Sequence, residues 1–138
     1  MSIDSIDSLI QSLKDDYVNG STTIAKKSLQ ILLSAWNLYG IRNRNSLVAY
    51  AHTLKASKPT MAAVQNILRI LQSRLMSSDV SMFPAICTDL LELMDKATTR
   101  TIENFEGFLE KTMQKSSINI ITASYSSTVA KILPTMSK

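Results

Sequence analysis

Apolar residues recur at steps of three and four along most of the chain, the spacing of an amphipathic helix. Ile6, Leu9, Ile10 and Leu13 define a first helix over residues 3–18, with Asp4 or Ser5 as its cap. Asn19-Gly20-Ser21 breaks it. Gly20 is expected to take the left-handed conformation at the helix end, and Ser21 to cap the next helix. Residues 22–40 carry Ile24, Ala25, Leu29, Leu32, Leu33, Trp36 and Tyr39 on one face, and Gly40 ends that helix. Arg42-Asn43-Arg44-Asn45 reads as a polar connection.

A third helix over 46–56 turns Leu47, Val48, Ala51 and Leu54 inward and is stopped by Pro59. Thr60 opens a fourth, through about Met76, with Met61, Val64, Ile67, Leu68, Leu71 and Leu75 inside. Ser77-Ser78-Asp79 is a turn and cap signal. The longest periodic stretch follows, over 81–115, from Phe83, Ile86, Cys87 and Leu90 to Phe105, Phe108, Leu109 and Met113. Pro84 falls in its first turn, where the missing N–H costs nothing. The stretch is one long helix, or two bent near Thr98-Thr99, where β-branching weakens the helix.

The pattern changes after Ser116-Ser117. Ile118-Asn119-Ile120-Ile121-Thr122 is a β-branched run of strand type. A small-residue loop, Ala123 to Ser127, leads to a short helix from Thr128 to Leu133, stopped by Pro134. The expected fold class is therefore mainly α. It is a bundle of about five helices over residues 1–115, then a strand-loop-helix over 116–138 that resembles the start of a Rossmann-like domain. A lone strand lacks a ladder partner, so this end should promote self-association.

Composition narrows the function classes. The chain has 138 residues, the usual size of one domain, and only 3 Gly and 3 Pro, too few for a turn-rich all-β fold. The net charge of +4 is mild, and the basic residues are interleaved with acids, which argues against a nucleic-acid groove. No apolar run approaches the roughly 18 residues of a membrane span. Met1-Ser2-Ile3-Asp4 does not read as a signal peptide. With a single cysteine, Cys87, no internal disulfide can form, and a cytoplasmic protein is expected.

Catalytic sets are sparse. His52 reads as a surface or satisfied histidine, and Cys87 as a small core residue. One His and one Cys make no metal site, no Gly-rich phosphate loop occurs, and no cofactor is implied. Asp15-Asp16 reads as a solvated pair at a helix end. Ser124, Ser126 and Ser127, after a strand and before a helix, suit either capping or an anion site, with capping favoured.

Four segments in order resemble a known family. They are Leu9 to Asp16 followed by Asn19-Gly20-Ser21; Ala25-Lys26-Lys27-Ser28-Leu29; Ser57-Lys58-Pro59-Thr60-Met61-Ala62; and Ile120 to Val129. The family comprises the alpha, beta and delta regulatory subunits of the guanine-nucleotide exchange factor for translation initiation factor two (factor two-B). It also holds ribose-1,5-bisphosphate isomerase and methylthioribose-1-phosphate isomerase. The resemblance implies a helical N-terminal domain followed by a Rossmann-like domain carrying most of the ligand site and the dimer interface. In the isomerases the strand-exit loop bears a catalytic Cys, matched here by Ser124, and an adjacent His, matched by Ala123. The family's Arg before its first Gly is matched by Asn19, and its Arg-Pro turn by Lys58-Pro59. The catalytic Asp is expected beyond Lys138.

Each departure removes a phosphate-holding or proton-moving group, so no isomerase activity is expected of the chain alone. Two functions are implied. One is a non-catalytic protein-interaction module, binding itself or an initiation-factor-like subunit, with no direct nucleic-acid or membrane contact. The other is a vestigial or partner-completed sugar-phosphate isomerase half. There, Lys58, Gly20, Ser124, Ser126 and Ser127 would hold an anion.

Overall fold

The computed structural model describes residues 5–112 as five α-helices and one 3-10 turn, with no strand among them. The strand-loop-helix expected over 116–138 lies outside the described residues. Helix α1 spans Ile6–Lys14. The Ser5 hydroxyl oxygen accepts the Ser8 N–H at 3.2 Å, so Ser5 is its cap. The helix ends four residues earlier than its apolar pattern suggested, because the Asp16 carboxylate captures the Val18 and Asn19 N–H groups at 3.1 and 3.0 Å. Such side-chain turns compete with helix continuation. The reversal therefore needs no left-handed residue. Gly20 is extended (φ −76°, ψ 171°) and itself caps α2, with Ser21 the first helical residue, contrary to both expectations at this break.

Helix α2 spans Ser21–Asn37. Its end is closed by Leu38 N–H to Ser34 O at 2.8 Å and by Ile41 N–H to Ala35 O at 3.0 Å. The second bond crosses Gly40, which adopts φ +64° and so does terminate the helix as its sequence position suggested. Helix α3, Arg44–Ser57, starts two residues before the expected boundary, because Asn43 Oδ1 accepts the N–H groups of Asn45 and Ser46. Helix α4 spans Ala62–Ser77. It begins after Thr60: Met61 N–H closes a turn on Lys58 O, and Gln65 Nε2 reaches back to Lys55 O and Lys58 O at 2.7 and 3.0 Å.

A 3-10 turn, Val80–Met82, leads into α5, Phe83–Thr112, which is continuous through Thr98-Thr99. The two hydroxyls donate to the carbonyls of Met94 and Asp95, each at 3.1 Å, so both are satisfied within the helix.

Helix α2 is central and packs against the other four helices; α4 packs against α2, α3 and α5; and α1 packs against α2 and α3. Their apolar faces meet in one core that includes Leu13, Leu32, Leu54, Leu68, Phe83 and Leu90. Full burial of a side chain of this size stabilises the fold by about 1.5–3 kcal/mol. Phe83 stacks on Trp36 at 5.5 Å between ring centroids, and an ion pair joins Lys26 to Asp95, so α2 and α5 run antiparallel. At 1.5 Å rise per residue, the start of α2 lies level with about Arg100. The remaining turns of α5 run past the start of α2. Beyond Met94 none of its described residues is buried, and Phe105 is 36% exposed.

Candidate functional site

Lys58 reaches the corner where α1 turns into α2, and Gly20 lies at the end of that turn. Asp16 organises this corner. Its Oδ1 takes two backbone N–H groups, and its Oδ2 takes Asn19 Nδ2 and Lys27 Nζ, each at 2.8 Å. Foremost through Lys27, and then through Asn19, these donors hold the Asp16 carboxyl well below the usual carboxylate range. The Asp16 backbone carbonyl accepts from Lys58 Nζ at 2.7 Å, and the Lys14 carbonyl accepts from the same ammonium at 3.0 Å.

Lys58 is thus a cation docked on the C-terminus of α1, where the last carbonyls lack helical partners and the helix dipole is negative. It reaches there because Pro59 ends α3 and Lys58 leaves the helical backbone at φ −135°, ψ 64°. The side chain is only 6% exposed, and the Tyr17 ring lies over it with Nζ 4.5 Å from the ring centroid. Tyr17 itself is exposed, as is Val18. The ammonium that would face a phosphate therefore faces two carbonyl oxygens and an aromatic ring. Gly20 stands at the start of α2 with no side-chain cap on that helix. Ser124, Ser126 and Ser127 lie outside the described residues.

An open groove of about 290 Å³ runs from this corner between α1 and α2, lined by Leu9, Ser12, Leu13, Ile31, Ser34 and the Asp16–Lys27 pair. It contains neither His nor Cys. His52 is exposed on α3. Cys87 is fully buried in α5, and burial pushes its thiol up to about 12, too high for a nucleophile at neutral pH. Among the described residues no three His, Cys, Asp or Glu side chains group to hold a metal ion. The corner's chemistry is hydrogen bonding and ion pairing that fix a turn.

Asp16, expected with Asp15 to be a solvated pair, is instead half-buried and accepts four hydrogen bonds, because an Asp at a helix end can take the N–H two residues on. The convergence of Lys27 and Lys58 on Asp16 joins residues distant in the chain, and no local pattern announces it. No helix among the described residues is long and apolar enough to cross a membrane. Comparison with protein-family models, curated proteins and solved structures returned no match.

Proposed function

We propose that this chain is a non-catalytic helical interaction module that binds protein, either a second copy of itself or a subunit like those of translation initiation factor two. The observation that supports this most is α5. Half of that helix suffices to close the core, yet its apolar periodicity continues through Ile102, Phe105 and Leu109 beyond the level of the start of α2. Phe105 and Phe108 on this extension are 36% and 57% exposed, and an amphipathic helix is a common means of engaging protein. The translation-linked partner rests on the four resembling segments alone.

The alternative, a partner-completed sugar-phosphate isomerase half, calls for Lys58 to hold an anion. The carbonyl contacts of that ammonium and its cover of Tyr17 favour the interaction module. Affinity capture with the tagged chain from its source tests the choice. Recovery of an initiation-factor subunit, lost with Phe105→Asp, supports the module. Recovery of a Rossmann-domain protein that restores sugar-phosphate turnover supports the alternative.

A further inference from the structure

The turn between α1 and α2 holds the chain's one Asn-Gly sequence, Asn19-Gly20. Such a pair carries an electrophile and a nucleophile side by side. The amide carbon Cγ of the Asn and the backbone nitrogen of the Gly can close a five-membered ring. Glycine, with no Cβ, leaves that nitrogen open to the approach. Inside a helix the reaction is hindered, because the backbone N–H is held by a carbonyl. Asn19 and Gly20 lie between helices, and the Gly20 N–H makes no hydrogen bond among the described residues. Asn19 is restrained by Asp16 instead. Its N–H donates to Asp16 Oδ1 at 3.0 Å, and its Nδ2, the atom that must leave, donates to Asp16 Oδ2 at 2.8 Å. Lys27 Nζ bonds the same Oδ2 at 2.8 Å, so α2 anchors the carboxylate that holds Asn19.

We propose that Asn19-Gly20 is a site of spontaneous, one-way modification, restrained by Asp16, whose product loosens the clamp on α1. When Nδ2 leaves Asp16 Oδ2, the Gly20 nitrogen attacks Asn19 Cγ. The N–Cγ bond forms, the Cγ–Nδ2 bond breaks, and the Gly20 N–H proton departs with Nδ2 as ammonia. Water is the co-reactant that opens the cyclic imide. Its addition at Cγ breaks the N–Cγ bond and gives aspartate. Its addition at the Asn19 backbone carbonyl carbon breaks the original peptide bond and gives isoaspartate, with the chain running through the former side chain. No atom changes oxidation state overall. In the aspartate product a carboxylate replaces the Nδ2 donor, so Asp16 loses a hydrogen bond and gains a like charge beside it. The isoaspartate loses the same donor and adds a backbone atom to the turn. The Asp16 carbonyl is one of the two oxygens that hold Lys58, so either change reaches the seat of α1. The proposal does not depend on the interaction-module reading.

The full chain, kept folded in neutral buffer for days, is mapped by peptide mass spectrometry, and isoaspartate is counted by enzymatic methylation. Asn19 should convert ahead of Asn45, which precedes Ser46 but lies inside α3. Asp16→Ala should speed conversion by about tenfold, the factor by which a hydrogen bond to a charged group restrains its donor. Gly20→Ala, which the extended φ of −76° accommodates, should slow conversion by about tenfold while circular dichroism is unchanged. Asn19→Asp, the hydrolysis product made directly, should lower the urea midpoint by about 0.5–1 M. An Asn19 amide that survives in the folded chain while the urea-unfolded chain converts would overturn the proposal. So would conversion no faster in Asp16→Ala than in the wild type, or an Asn19→Asp midpoint at or above the wild-type value. If Asp16→Ala does not fold, the wild type in urea below its transition replaces it. There the conversion rate should rise with urea, and a flat rate would overturn the restraint by Asp16.

Discussion

Replacing Lys58 by Met retains most of the buried stem and removes only the ammonium, so Lys58→Met isolates the contacts made by Nζ. Those contacts are the Lys14 and Asp16 carbonyls at 3.0 and 2.7 Å and the Tyr17 ring. Hydrogen bonds to a charged group contribute about 1.5–3 kcal/mol each, and a cation at a helix C-terminus adds about 0.3–1 kcal/mol. Against this stands relief from burying an ammonium, which Met does not require, and partial rehydration of carbonyls near the surface. The balance is a loss of about 2–4 kcal/mol, a large share of the 5–15 kcal/mol typical of a domain. Urea unfolding followed by circular dichroism and Trp36 fluorescence should show the midpoint falling by about 1–2 M with an unchanged slope. Lys58→Arg keeps the charge and should recover part of the loss. A Lys58→Met midpoint equal to or above that of the wild type would refute the assignment of Lys58 as the clamp on α1.

Two of the three glycines, Gly40 and Gly107, should respond oppositely to alanine. A Cβ meets nothing within 4 Å at either, but Gly40 has φ +64° and Gly107 sits inside α5. Gly40→Ala should lower stability by about 1 kcal/mol and Gly107→Ala should raise it by about 0.5–1 kcal/mol, both read from thermal unfolding. The Asp16 carboxyl titrates lower in the folded chain than in the unfolded one. Its contribution is therefore complete above about pH 4, the unfolded value, and is lost as pH falls towards the depressed folded value. Asp16→Asn should accordingly flatten the acid limb of the stability–pH curve measured by urea unfolding. Cys87 should resist a thiol reagent at pH 8 in the folded chain and react fully in denaturant, as the rate of thionitrobenzoate release would show.

Most of the helices were legible because their apolar steps are regular and their punctuation is strong. Ser5, Gly40 and Pro59 acted where their chemistry placed them. The boundary errors share one cause: polar side chains claimed backbone N–H groups that periodicity assigns to helix or loop, Asp16 at the end of α1 and Asn43 at the start of α3. Gly20 was misread for the same reason, since Asp16 makes the turn that a left-handed glycine would otherwise make. The candidate site was less legible. Lys58 was singled out only by the resemblance of Lys58-Pro59 to the family's Arg-Pro turn, and its use depends on the C-terminus of α1, 42 residues away in sequence at Asp16. The stacking of Arg42 on Trp36 is equally invisible to local pattern, because it is created by the return of the chain at Gly40.

Sedimentation velocity of the full chain, from micromolar to hundreds of micromolar, alone and with the purified alpha subunit of initiation factor two, tests the interaction module most directly. A species heavier than the monomer is expected in at least one of the two series, reverting to monomer when Phe105→Asp alters the α5 extension. A clean monomer in both series, or an assembly indifferent to that substitution, would contradict it.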